Sequence, residues 1–130
     1  MDTSEDLIKI KDAILKEIDD VEAIYLFGSV ARGTQNEKSD YDIVIFVKTQ
    51  PSDKLDVLTN IRMGLFRKIS RPLEPFILSL DDLGYPSPFL YEVYTNHRLL
   101  YGKNVIEKCK DVIKNVRPII KNGVKIGYYV

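Results

Sequence analysis

Two carboxylates, Asp40 and Asp42, stand at the head of the apolar run Tyr41 to Val47. On an extended strand, residues two apart point to the same side, so both would project together. Close carboxylates repel and raise one another's pKa unless a cation sits between them. Mg²⁺ meets that need, because it takes a few carboxylates and completes its shell with phosphate oxygens. For an isolated pair a plainer arrangement is also open, with Asp40 capping a turn and Asp42 facing water. Ten residues, Val30 to Ser39, separate the pair from Gly28-Ser29. A strand that ends in Gly-Ser and turns into a helical start presents backbone N–H groups. Those groups, with the Ser29 hydroxyl, can hold phosphate oxygens. Gly28 has no Cβ to block the approach. A phosphate cradle followed by a metal pair matches what phosphoryl chemistry needs.

The elements that must position these residues can be read from spacing. Leu7, Ile10, Ile14 and Ile18 predict a first helix with Ser4 as its N-cap. Val21 to Phe27 reads as a strand closed by Gly28. Residues 28–39 read as a loop with about one helical turn. Tyr41 to Val47 is a second strand, apolar enough to be covered on both faces. A helix capped by Ser52 follows, with Leu55, Leu58, Ile61, Leu65 and Ile69 as its apolar stripe, until Arg71-Pro72 breaks it. Leu73 to Leu80 is a third strand, which Pro75 assigns to an edge or a bulge. Asp81 to Pro88 is a loop. Phe89 to Asn96 reads as a short helix and His97 to Tyr101 as a short strand. Lys103 to Arg117 is expected to form a last helix, with Val105, Cys109, Val112 and Val116 on one side. Asn122-Gly123 closes that region, and a weakly alternating tail runs to Val130. The order predicts one α/β domain of about four strands with helices on at least one face.

Composition narrows the function. The chain has 130 residues, 45% apolar and 29% charged, as expected of one globular domain. It has one cysteine, Cys109, and one histidine, His97. An internal disulfide and a Cys/His zinc site are thereby excluded, so any metal must sit on oxygen. No apolar run reaches the ~18 residues of a membrane span. The acidic, amphipathic start lacks a secretory pattern, which makes the cytoplasm the default setting. Residues 1–100 carry 12 basic and 17 acidic side chains, net −5, whereas residues 101–130 carry 7 and 2, net +5. The basic end is either a solvated face or a contact surface for nucleic acid or an acidic partner.

Gly28-Ser29, the ten-residue spacer and Asp40-Tyr41-Asp42, flanked by Ala31-Arg32-Gly33 and Ile43, carry a resemblance. They are similar to the signature of the DNA polymerase beta-like nucleotidyltransferase superfamily, above all its minimal members in bacteria and archaea. The motif spans residues 26–46, and the order of elements suits the group over about residues 5–102. The resemblance implies the α/β (α+β) nucleotidyltransferase fold, a small mixed sheet of about four strands with helices packed on it. It implies one domain over residues 1–130, with the catalytic core at about 5–102 and a C-terminal helix and tail at 103–130. It also implies a third carboxylate, by position Glu74, where glutamate stands for the commoner aspartate and Pro75 follows. Without the motif, Glu74 would read as a solvent-facing residue of an edge strand.

What the resemblance implies for mechanism is a nucleoside triphosphate, ATP above all, lying along Gly28-Ser29. Asp40, Asp42 and Glu74 would hold one or two Mg²⁺ ions, and Glu74 could act as general base. Arg32 either reaches a nucleotide phosphate or clamps Asp40 or Glu37. The product would be an adenylylated hydroxyl acceptor and pyrophosphate. Minimal members also resemble antitoxins that bind, or adenylylate, a HEPN-type ribonuclease toxin. An aminoglycoside-modifying enzyme and an inactive nucleotide-binding homologue are the further alternatives. On the antitoxin reading, residues 103–130 and their apolar tail would serve contact with a HEPN-type chain or a second copy; the plainer alternative is that the tail covers the parent domain. His97 reads as a satisfied helix-end residue and Cys109 as inert. Tyr85, Tyr91 and Tyr94 are expected in the core or at the cleft rim.

Overall fold

A computed structural model describes residues 3–129. The chain runs α1 (Thr3–Glu17), β1 (Val21–Phe27), α2 (Gly28–Arg32), β2 (Tyr41–Val47), α3 (Lys54–Leu65) and β3 (Leu73–Ser79). It continues with α4 (Pro88–Thr95), β4 (His97–Gly102), β5 (Arg117–Lys121) and β6 (Val124–Tyr129). Four strands form one sheet in the order β3-β2-β1-β4, and β5-β6 form a separate hairpin. β2 and β3 are parallel, joined by α3, while β1 is antiparallel to both β2 and β4. The sheet is therefore mixed, and Pro75 lies on its edge strand. The C-terminal end of β1 and the N-terminal ends of β2, β3 and β4 meet at one end of the sheet.

Alternation sorts the strands between two cores. Ile24, Leu26, Ile43 and Ile45 pack with Leu7, Ile10 and Ile14 of α1 and Val57, Ile61 and Leu65 of α3. Tyr25, Phe27, Val44 and Phe46 face the other way, onto Leu90 and Val93 of α4 and onto Ile106, Cys109 and Ile113. Burial of each large aliphatic side chain contributes about 1.5–3 kcal/mol, and β2, apolar on both faces, belongs to both layers.

Four local readings differ from the sequence expectation. Helix α1 already includes Thr3, so Ser4 lies in its first turn rather than at the N-cap. α3 has Asp53 rather than Ser52 at its N-cap, with no side-chain capping bond; it buries Val57, Ile61 and Leu65 and leaves Leu55 79% exposed. It also stops at Leu65, because Arg67 adopts a left-handed backbone. Residues 80–84 form a 3₁₀ helix closed by a capping box between Ser79 and Asp82. Lys103 to Arg117 is not a helix. Its apolar residues Val105, Ile106, Cys109, Ile113 and Val116 are buried, but one 3₁₀ turn (Ile106–Cys109) and a chain of single turns carry them. Tyr25 fixes the start of this path, donating to Asn104 Oδ1 at 2.7 Å and accepting from the Ile106 amide at 3.2 Å. These tertiary bonds outweigh helix propensity in a segment rich in β-branched residues, Asn and Asp. Asn122 and Gly123, at φ 53° and 78°, then make the two-residue turn that folds the tail into the β5-β6 hairpin.

Candidate active site

The Gly-Ser turn is built as the sequence suggests. β1 ends at Phe27, and the chain enters the single turn α2 through Gly28, whose φ is +76°. The turn closes by a Schellman arrangement, with Gly33 N donating to Val30 O and Thr34 N to Ser29 O. At Gly28 the need for glycine is twofold. The left-handed backbone disfavours a side chain, and a Cβ there would overlap Asp42 Oδ2 and lie 3.1 Å from its Cγ. The Asp42 carboxylate thus packs against the bare Cα of the turn, so the two halves of the motif are one site.

Strand register completes a row across the sheet. Asp42 stands opposite Glu74 on β3 and opposite Phe27 on β1, which in turn stands opposite His97 on β4. Alternation puts Asp42 and Glu74 on the α4 side, the side of Val44 and Phe76. Burial pushes the pKa of Asp42 up, and the negative charges of Asp40 and Glu74 push it further, while Arg32 opposes them. Asp40, Glu74 and Arg32 are therefore each close enough for their charge to act on Asp42. Among the described residues no three of His, Cys, Asp and Glu are close enough to enclose a metal ion by themselves.

Tyr41 projects to the opposite face and locks the strand between the two aspartates. Its hydroxyl donates to the fully buried Asp6 at 2.6 Å. The same Asp6 oxygen accepts from Ser70 N at 3.0 Å and Ser70 Oγ at 2.5 Å. Burial alone would raise the pKa of Asp6, but these hydrogen bonds and Lys9 hold it below its ordinary value. Arg71 ties the approach to β2, donating to Asn36 O at 2.5 Å and Ser39 O at 3.2 Å.

Arg32 faces two acids, Asp42 and Glu92 of α4, and its charge lowers the pKa of both. No ion pair of Arg32 with Asp40 or Glu37 forms among the described residues. Three neighbours escaped the sequence reading. Arg62 of α3 pairs with Glu74 at 3.6 Å. Glu92 holds the hairpin, accepting from Lys125 at 2.7 Å and from the Tyr128 hydroxyl. Asp6 had a readable signal, since the spacing 6, 10, 14 puts an acid on the apolar stripe of α1; Arg62 and Glu92 had none. His97 Nδ1 lies 3.0 Å from both the Val93 and Tyr94 carbonyls, a helix-end role. Cys109 is buried, with its thiol pushed up to about 11 by desolvation. Tyr91 and Tyr94 pack on the α4-side core, but Tyr85 is 70% exposed.

The family described as "Polymerase beta, Nucleotidyltransferase" matches residues 9–106. Of individual relatives, "Putative protein adenylyltransferase MJ1305" of Methanocaldococcus jannaschii is 32% identical over 111 residues, covering 78% of this chain and 76% of its own. Protein adenylyltransferase MntA of Shewanella oneidensis is 30% identical over 95 residues, covering 72% of this chain and 63% of MntA. Two solved structures share the fold. One, described as the toxin-antitoxin with AMP-PNP, has a TM-score of 0.62 at 20% identity over 82% of each chain. The other, spectinomycin adenyltransferase AAD(9) from Enterococcus faecialis with ATP and spectinomycin, has a TM-score of 0.66 at 19% identity, over 86% of this chain and 60% of that one. No helix among the described residues is long and apolar enough to cross a membrane. The match covers the whole four-stranded sheet, including the end where the Gly-Ser turn meets the paired aspartates, and the chain belongs to the polymerase-beta nucleotidyltransferase family.

Proposed function

We propose that the chain is a protein adenylyltransferase that moves AMP from ATP to an acceptor hydroxyl, and that its partner is a HEPN-type protein. The observation that carries the chemistry is Asp42, packed on the bare Cα of Gly28 and crowded by Asp40 and Glu74. The triphosphate lies along Gly28 and Ser29, where the first N–H groups of a helical turn lack intrahelical acceptors. Arg32 offers its charge to the phosphates from the far end of that turn. The acceptor oxygen bonds to the α-phosphorus, the bond from that phosphorus to the bridging oxygen breaks, and pyrophosphate leaves. Glu74 takes the acceptor proton.

The acids fit a divalent cation, because their mutual repulsion is only partly met by Arg32. Two carboxylates completed by phosphate oxygens are what Mg²⁺ takes. Asp40 and Asp42, with Glu74 at the second position, would hold one or two such ions. When bound, the metal supplies charge neutralisation on the phosphate oxygens.

The names of the relatives support a protein acceptor, and a structural neighbour of low identity supports the HEPN partner. Two relatives, at 32% and 30% identity, are named protein adenylyltransferases. A Shewanella oneidensis structure of the same fold is described as a tri-AMPylated HEPN toxin with its MNT antitoxin. The aminoglycoside alternative rests on fold alone. Calorimetric titration with ATP tests the metal-bridged site. Affinity should be clearly higher with Mg²⁺ than with a chelator present, and equal affinity in both conditions would overturn the reading.

A further inference from the structure

A cleft of about 410 Å³ opens at the C-terminal end of α3, beside the loop that enters β3. Arg62, Phe66, Arg67 and Arg71 line it, and no acidic side chain does. It lies at the catalytic end of the sheet, since Arg71 reaches the 36–39 loop and Arg62 touches Glu74. The cradle for the triphosphate is on the β1 side of Asp42, and Glu74 is on the β3 side. The Arg62–Glu74 pair at this edge links the cleft to Glu74, so a hydroxyl seated in the cleft has a route to it from the β3 edge.

Of the three arginines, Arg67 is the uncommitted one. It makes no ion pair among the described residues and stacks on Phe66, 5.2 Å from the ring centroid. Its φ is +62°, a backbone state that costs a non-glycine residue on the order of 1 kcal/mol or more. Glycine or asparagine would relieve that cost at a surface turn, yet the position holds an exposed arginine. Phe66 beside it is 67% exposed.

We propose that this cleft seats an acidic segment of the acceptor protein and so delivers the acceptor hydroxyl to Glu74. The inference rests on the adenylyl-transfer reading and adds the recognition of the acceptor. Arginine is suited to the task, because its planar fork binds carboxylates through paired hydrogen bonds. The volume falls in the range of about 300–1,000 Å³ typical of ligand sites and admits a few side chains. A nucleic-acid track would call for an extended basic face and a high pI. Here the pI is about 6.6 and residues 1–100 are net negative.

The test uses the full chain and three fluorescent probes: Glu-Glu-Tyr-Glu-Glu, Lys-Lys-Tyr-Lys-Lys and a short oligo(dT). Anisotropy is read at low and high salt for wild type and Arg67→Glu, with Mg·ATP affinity measured in the same preparations. The acidic peptide should bind best, weaken with salt, and lose about fivefold or more in affinity in Arg67→Glu, while Mg·ATP affinity stays the same. Equal binding of the two peptides, or acidic-peptide binding untouched by Arg67→Glu, overturns the proposal. Arg67-dependent binding of oligo(dT) above the peptide also overturns it, in favour of nucleic acid. Failure of wild type to bind Mg·ATP, with acidic-peptide binding intact, would instead remove the adenylyl-transfer reading and leave the cleft assigned.

Discussion

Asp6 and Asp42 lie on opposite sides of the same strand end, and the fold treats them differently. Asp6 is completely buried, yet three hydrogen bonds from Tyr41 and Ser70 converge on one of its oxygens and its pKa is lowered. Asp42 is half-buried, has two acids for neighbours and a single opposing cation, and its pKa is raised. Tyr41, between Asp40 and Asp42 in sequence, is held by Asp6. A carboxylate with three donors on one oxygen fixes the backbone, even though its other oxygen, Oδ1, has no hydrogen-bond partner among the described residues. A carboxylate left among like charges is where the fold has room for a cation. On the adenylyl-transfer reading, alternation along one strand separates the anchor from the proposed chemistry.

Asp42→Asn sharpens this contrast most and has the largest expected effect. It keeps the shape that packs on Gly28 and removes the charge that would hold metal, so adenylyl transfer should fall by orders of magnitude. Its stability should not fall. An aspartate whose pKa is raised on folding favours the native state at low pH, and that contribution is lost as pH rises through the raised value. At neutral pH the asparagine variant should melt at or above the wild-type temperature, and the gap should close below the ordinary aspartate range of about 3.9. Retained activity, or a lower melting temperature at pH 7, would break the assignment of Asp42 to chemistry.

Asp6→Asn is the complement, moderate in size and opposite in kind. Hydrogen bonds to an ionised acceptor contribute about 1.5–3 kcal/mol each. The donor set here would keep an oxygen to bond but lose the charge, so a cost of about 1–3 kcal/mol is expected. Asp6 has a lowered pKa, so its contribution is present above the ordinary aspartate range and lost as pH falls through the lowered value. Chemical denaturation at pH 7 and in acid should show wild type and Asp6→Asn differing at neutral pH and converging in acid. An undiminished stability at pH 7 would mean that Asp6 is not the anchor of β2.

The same contrast explains what could be read from sequence. β1 and β2 were legible to the residue, because each is a mostly apolar run, β1 closed by Gly28 and β2 wholly apolar after Asp42. The clustering of the candidate residues was legible because the Gly-Ser turn and the aspartates share one short span, and the parallel register then brings Glu74 opposite Asp42. The buried face of α3 was legible only in part. Ile61 and Leu65 are buried, and Leu58 and Ile69 pack against the same core, but packing on α1 and the sheet selects Val57 and leaves Leu55 exposed. The expected last helix failed for a related reason. Its buried residues do recur every three or four positions, but a pattern of burial does not specify the backbone that supplies it. Asn122-Gly123 between apolar alternations was a hairpin signal, and it gave the one part of the C-terminal region that local sequence could have fixed.

The hairpin offers the smallest and most local effect. Lys125 bonds Glu92 and Tyr128, and Tyr128 packs on Tyr91 at 6.0 Å. Burial would raise the pKa of Glu92, but the hydrogen bonds it accepts from Lys125 and the Tyr128 hydroxyl, with the charges of Lys125 and Arg32, hold it down. The Lys125 and Glu92 side chains are 45% and 28% exposed, and pairs so open to solvent contribute about 0.2–1 kcal/mol. Lys125→Ala should therefore lower global stability by less than about 1 kcal/mol. Its effect should concentrate where the bond acts. Amide exchange should quicken across β5 and β6 and stay unchanged in β1 and β2, because the hairpin is a separate sheet held to α4 by few contacts. The opposite hairpin side chains, Ile120, Val124 and Ile126, are each about 60% exposed, so the sheet offers no second anchor there; Val130, expected in the same surface, lies outside the described residues. Faster exchange spread over the whole four-stranded sheet would show instead that the hairpin is part of the main cooperative unit, and that α4 transmits its loosening to the catalytic end.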